Sequence, residues 1–83
     1  MTEIGDRVGA IQSADETTVQ FFGYGVYDGR IDNPDLGFPN PRITLDNGTQ
    51  VWGYECWWGP EDHIRAKIGS REIVIVPVAP HGT

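Results

Sequence analysis

The chain has 83 residues, which suffices for one domain with a single hydrophobic core and is too short for two. Six Lys and Arg residues against twelve Asp and Glu residues leave a formal net charge of −6, which repels nucleic acid and anionic membrane at long range. The single cysteine, Cys56, excludes an intramolecular disulfide and a zinc site made of cysteines from one chain.

The composition also bears on location and on domain limits. The first residues lack the basic and apolar segments of a signal peptide, and the longest apolar run, residues 73–76, is too short to span a membrane. We therefore expect a cytoplasmic protein. We expect one domain over residues 1–83, with a core over about residues 5–78 and frayed ends, including a tail from residue 80.

Two strands are predicted in the first third of the chain. Residues 7–12 contain Val8 and Ile11, and residues 17–28 are rich in β-branched and aromatic side chains. Glycines within the second run predict a long strand with a bulge or bend, which a small barrel needs in order to close. Residues 29–41 contain three prolines and no periodic pattern, which predicts a long loop.

A hairpin is the strongest local prediction. Asn47-Gly48 separates two alternating apolar runs, residues 42–46 and 49–57, and both residues tolerate positive φ. A two-residue loop places Ile43 opposite Trp52. A three-residue loop exchanges the two faces of the returning strand, and the sequence leaves both possibilities open.

The rest of the chain predicts a short helix followed by a last strand. Pro60 suits the first turn of a helix over about residues 60–68, and Gly69 suits its C-terminal cap. Ile64 and Ile68 share one face of that helix, which we expect to close a barrel end. The final strand is predicted over residues 71–78, with apolar side chains on both faces.

This element order predicts a mainly β domain. It is similar to a five-stranded Src-homology-3-like barrel, in which a short helix also separates the fourth and fifth strands. Fold alone does not specify function.

Four sequence blocks carry a resemblance to a known group of proteins. GDRVGAI, FGYGVYDG, NPRITLDNG and VWGYECWWGPE, which contains the unusual ECWWGPE, resemble small uncharacterised proteins encoded by phages and prophages. The resemblance covers residues 5–78. It implies a phage setting, with the host cell cytoplasm as the location, and it assigns no activity.

An aromatic and acidic surface is the main candidate site. Adjacent residues of a strand point to opposite faces, so one of Trp57 and Trp58 is expected to be exposed. The two-residue hairpin makes Trp58 the core residue and Trp57 the exposed one. The candidate binding residues, which would suit a cationic or proline-rich ligand, are Trp57, Tyr27, Phe38, Glu55 and Glu61.

Catalytic and metal-binding patterns are weak. Cys56 and His63 lack a third catalytic group, and the acidic residues around the predicted loop do not have the spacing of a calcium-binding loop. His63, His81 and Asp62 would reach a metal only across an oligomer or by folding of the tail. We therefore expect no catalytic residues, no metal and no cofactor, and the acids around the loop are more simply explained as turn residues.

The preferred hypothesis is a small non-enzymatic binding protein. Its partner would be a host or phage protein, and binding would interfere with a host factor or a host defence. The alternative is an oligomeric protein that binds or sequesters a small, nucleotide-like ligand. Converging arginine side chains would favour the small ligand, whereas an exposed apolar patch would favour a protein partner. A homo-oligomer is compatible with either hypothesis.

Overall fold

The computed structural model describes residues 2–78. Over this part of the chain it contains six β-strands, one α-helix and one turn of 3₁₀-helix. In chain order these are β1 (Arg7–Ala14), β2 (Thr18–Asn33), β3 (Phe38–Leu45), β4 (Gln50–Trp52), the 3₁₀ turn (Gly53–Glu55), β5 (Trp57–Pro60), α1 (Glu61–Ile68) and β6 (Glu72–Ile75).

The strands form one sheet with the order β4-β3-β2-β1-β5. These five strands pair antiparallel, and β6 runs parallel to the first residues of β2. The prediction of a mainly β domain is confirmed. The prediction of five strands is wrong, because residues 49–60 contribute two short strands and not one. Among the described strands, β4 and β5 lie at opposite edges, and the sheet is not closed.

The predicted long loop over residues 29–41 is also wrong. β2 continues to Asn33 and β3 begins at Phe38, so only residues 34–37 connect them. Pro39 and Pro41 are two positions apart, so their nitrogens point toward the same edge of β3, the edge away from β2. β4 pairs with that edge only at residues 42–44, so the two prolines do not remove a hydrogen bond to β4. The sheet therefore extends beyond β1 and β4 as a two-stranded ribbon, the β2–β3 ribbon, formed by residues 29–33 and 38–41.

The hairpin after β3 is present, but its register differs from the two-residue prediction. Thr44 lies opposite Gln50 and Ile43 opposite Val51, and the Leu45 amide donates to the Thr49 carbonyl at 2.8 Å. The loop therefore has three residues, 46–48. Only its last residue, Gly48, has a positive φ, of 89°, as in the three-residue hairpins that end with a glycine.

The strand predicted to return over residues 49–57 ends at Trp52. The 3₁₀ turn follows, and it interrupts the alternation that would have related Trp52 to Trp58. β5 then pairs with β1, with Trp58 opposite Ala10. The predicted helix over residues 60–68 agrees with α1, in which Pro60 precedes the first helical residue and Gly69 follows the last.

Apolar side chains pack on both faces of the sheet. One face carries a cluster of buried residues from β1, β2, β3 and β4: Val8, Ala10, Phe22, Ile43, Leu45 and Val51. On the other, Ile64 and Ile68 of α1 cover a second cluster: Ile11, Val19 and Phe21. The helix therefore covers a sheet face, whereas the sequence analysis placed it at a barrel end.

Candidate functional site

The two adjacent tryptophans of β5 have different environments. Trp58 is half-buried against the first cluster, and its ring stacks on Tyr27 with 5.2 Å between centroids. Trp57 is 56% exposed, and the Lys67 ammonium lies 3.8 Å from its ring centroid. Trp57 is thus the exposed tryptophan, as predicted. The reason differs from the predicted one, because the 3₁₀ turn and the pairing of β5 with β1 set its direction.

The two other predicted aromatic residues lie elsewhere. Tyr27 is opposite Ile43, where β4 also pairs with β3, and Phe38 is opposite Asn33 at the far end of the β2–β3 ribbon. Phe38 and Ile43 are five positions apart along an extended strand, which corresponds to about 17 Å. Phe38 is exposed, but the structure does not bring it to Tyr27 or to Trp57.

The two predicted acidic residues have partners within the chain. The Glu55 carboxylate accepts a hydrogen bond from the Trp52 amide at 3.2 Å. Glu61, at the start of α1, pairs with Arg7 at 3.5 Å and with Arg65 at 3.8 Å. Of the five predicted binding residues, Phe38 therefore lies away from Tyr27 and Trp57, and the two acidic residues are engaged within the chain.

The basic side chains do not converge on an anion site in the part of the chain that the structure describes. Arg7 makes two hydrogen bonds to Asp46, at 2.7 and 2.8 Å, which raise the pKa of Arg7 and lower the pKa of Asp46. Arg42 pairs with Asp28 at 3.0 Å. The remaining basic residues contact backbone carbonyls or aromatic rings: Arg30, Arg65, Lys67 and Arg71. Each cation is thus held by the fold itself.

The environment of Cys56 does not favour a nucleophilic thiolate. It is half-buried, its thiol donates to the Trp52 carbonyl at 3.5 Å, and burial raises its pKa to about 12. A thiol with so high a pKa is a poor nucleophile at neutral pH. Within residues 2–78, no three His, Cys, Asp or Glu side chains are close enough to hold a metal together. His81 lies outside the described residues.

Sequence analysis missed an exposed apolar strand. Three consecutive side chains of β6 are exposed: Ile73 by 44%, Val74 by 42% and Ile75 by 67%. The sequence predicted this run as part of the final strand, with apolar side chains on both faces, and did not predict its exposure. Its composition is that of a buried strand, and only its position beside β2 leaves it uncovered.

A groove adjoins this strand. β6 pairs with β2 up to Phe21, and β3 pairs with β2 from Gly25 onward, so the same edge of β2 has a gap between them. An open groove of about 340 Å³ lies at this gap. Its walls are mostly apolar, and they come from β2, the β3–β4 turn and β6: Phe21, Phe22, Gly23, Tyr24, Leu45, Asp46, Asn47, Ile73 and Ile75.

Comparison with other proteins adds no functional information. The chain matches no protein-family model, no curated protein and no solved structure. Among residues 2–78, no helix has the length and apolar character needed to cross a membrane.

Proposed function

We propose that this chain is a small non-enzymatic binding protein that acts on a protein of a phage or of its bacterial host, where it interferes with a host factor or a host defence. The observation that carries the proposal is β6, an apolar strand whose side chains are exposed. Contiguous apolar surface beside a groove is typical of protein interaction sites. The phage setting rests on the resemblance of the sequence blocks, and it implies the host cytoplasm as the place of action.

The arrangement of charges favours a protein partner over a nucleotide-like ligand. An anionic ligand needs cationic groups that are free to turn toward it. Here Arg7 and Arg42 pair with carboxylates, and Arg71 donates to backbone carbonyls, including that of Asp15 at 3.0 Å. The groove beside β6 has no basic residue in its lining.

We also propose that the domain is of the Src-homology-3-like barrel type, with α1 and β6 added after the fifth strand. The support is the short helical turn at Gly53–Glu55, which separates β4 from β5. Additional support is that one apolar cluster takes side chains from all five of these strands, with Val51 of β4 and Trp58 of β5 both part of it or packed against it.

Affinity capture followed by reconstitution tests the proposed function. The tagged chain is incubated with bacterial lysate, retained proteins are identified by mass spectrometry, and small molecules are extracted from the same eluate. We expect one protein that, once purified, forms a complex with the chain with a Kd of about 1 μM or below. Retention of a nucleotide-like molecule without any specific protein would contradict the proposal and favour the small-ligand alternative.

A further inference from the structure

The backbone of β6 pairs with β2 along one edge, and no other strand of residues 2–78 pairs with the opposite edge. The Glu72 amide donates to the Thr17 carbonyl and the Val76 amide to the Phe21 carbonyl, both at 2.9 Å. Amides alternate in direction along a strand, so those of Ile73 and Ile75 point away from β2. Within the described residues, β2 is the strand that β6 pairs with. The outer edge of β6 can therefore accept another strand.

The side chains beside this edge share the groove. Ile73 is the register partner of Val19 and Ile75 that of Phe21, so both isoleucines lie on the sheet face that α1 covers elsewhere. They are nevertheless exposed, and both line the groove next to β6. A strand added at the edge would place alternate side chains on this same face, next to Ile73 and Ile75.

The negative charge of the chain favours a basic extended segment over a second copy of the chain. The chain carries a formal net charge of −6, and the exposed Glu72 begins β6. Asp46, the charged residue in the groove wall, is paired with Arg7. Arg71, the nearest cation in sequence, donates to the carbonyls of Asp15, Lys67 and Ile68. A second copy of the chain would bring another −6, whereas a basic segment would be attracted.

We infer that the free edge of β6 and the adjoining groove bind an extended, basic segment of the partner protein, which adds to the sheet as a further strand. The inference rests on the proposed function and specifies its binding surface. The segment carries apolar side chains at alternate positions, facing Ile73, Ile75 and the groove, with basic side chains between them. Main-chain hydrogen bonds to Ile73 and Ile75 supply affinity, and the alternating side chains supply specificity.

Synthetic peptides provide a direct test. The probe is a short acetylated peptide of alternating valine and lysine, added to the isotopically labelled full chain and followed by NMR. We expect perturbed amide resonances at residues 72–76 and at Phe21–Tyr24. The same peptide with glutamate in place of lysine should bind about tenfold more weakly or worse, because like charges then oppose each other. The fully N-methylated valine–lysine peptide should not bind, because it lacks the backbone donors.

Two matched substitutions locate the surface on the protein. Ile75→Lys removes an apolar side chain from the edge and adds one positive charge. Leu36→Lys makes the same change at the β2–β3 turn, where Leu36 is 37% exposed. We expect Ile75→Lys to weaken peptide binding by about tenfold and Leu36→Lys by about twofold or less. Both variants must keep the wild-type melting curve, since both positions are at the surface.

Several results would overturn the inference. Absence of binding by the valine–lysine peptide, perturbations centred on Trp57 or Phe38, or equal effects of the two lysine substitutions would each do so. A wild-type chain that sediments as a dimer, and that Ile75→Lys converts to a monomer, would assign the edge to a second copy.

If a purified partner binds wild type and Ile75→Lys equally well, the proposed binding surface is wrong while the proposed function stands. Failure to recover any partner would count against the proposed function alone.

Discussion

Strands β1 and β6 have similar apolar side chains and opposite environments. Residues 8–11 of β1 are buried on both faces, with Val8 and Ala10 in one cluster and Ile11 in the other. In β6 all four residues are exposed, although three of them are Ile, Val and Ile. The difference follows from position: β1 lies between β2 and β5 and under α1, whereas β6 pairs with β2 alone among the strands of residues 2–78.

The comparison shows how an apolar run can serve two purposes. In β1, burial of apolar surface contributes to the free energy of folding. In β6, the same kind of surface stays in contact with water. Its burial can therefore contribute to the free energy of binding when a partner covers it. The predictions below compare these two environments by pairs of matched substitutions.

The largest expected contrast is between the same truncation in the two strands. Ile11 is 1% exposed, so Ile11→Ala removes buried methyl groups and leaves a cavity, which should lower the free energy of unfolding by about 3–4 kcal/mol. Ile75→Ala should change it by less than about 0.5 kcal/mol, because the side chain is already in water. Urea denaturation of both variants measures the contrast. Equal losses would mean that β6 belongs to the folding core.

The adjacent tryptophans of β5 give a second contrast. Trp58→Ala removes the ring that stacks on Tyr27 and should cost about 3 kcal/mol. Trp57→Ala loses its contact with Lys67, which is worth about 0.5–1 kcal/mol at an exposed site. Thermal and chemical unfolding of the two variants should separate them clearly. If both unfold the chain, Trp57 is part of the core and cannot serve as a surface residue.

Two glycines that face each other across β1 and β5 test how closely α1 covers β1. A Cβ added at Gly9 would lie 2.8 Å from Ile64 Cγ2, whereas one added at Gly59, its register partner, meets nothing within 4 Å. Gly9→Ala should therefore destabilise the domain by about 1–3 kcal/mol through overpacking. Gly59→Ala should be neutral or slightly stabilising. A neutral Gly9→Ala would mean that the helix shifts easily and that the second face of β1 is loosely packed.

The smallest expected effect is a pH dependence at the point where β6 joins the sheet. The Asp15 carboxylate accepts hydrogen bonds from the Thr17 and Thr18 amides at 2.8 and 2.7 Å, which lower its pKa below the ordinary 3.8. The pKa of Asp15 is lower in the folded state than in the unfolded state. These hydrogen bonds therefore contribute fully to stability at a pH above the unfolded-state pKa, and their contribution is lost as the pH falls through the folded-state pKa.

Hydrogen exchange measures this effect. The Glu72 amide donates to the Thr17 carbonyl, so its protection should decrease below about pH 4 before that of Val8 in β1. Asp15→Asn should show a weaker dependence on pH, because the amide does not titrate. Equal changes at Glu72 and Val8 in the wild type would indicate global unfolding and no local effect.

Local signals predicted some elements well. Pro60, the acidic first turn and Gly69 predicted the helix, and the structure has it at Glu61–Ile68 with Ile64 and Ile68 buried. Asn47-Gly48 predicted the position of a hairpin, which is correct. These features depend on residues within a few positions of one another, because capping and turn formation are short-range effects.

Features that depend on distant residues were predicted poorly. Pro39 and Pro41 indicated a loop, yet both lie in β3. They are tolerated because, among the described strands, none pairs with that part of β3 on the side away from β2. The register of the hairpin required the choice between a two-residue and a three-residue loop, which the sequence left open. The candidate binding residues Trp57, Tyr27 and Phe38 were grouped by chemistry, and the fold places them apart.

By itself, then, the sequence determined a mainly β domain, the position of the helix and the position of the hairpin, because each is encoded by periodicity or by local backbone preferences. Only the tertiary structure decided that residues 7–14 lie between two strands while residues 72–75 lie at an edge. Hydrophobicity states how much is gained when a side chain is buried, but which side chains are buried depends on what packs against them. For this reason the apolar strand β6 became a candidate binding surface only when the arrangement of the whole sheet was known.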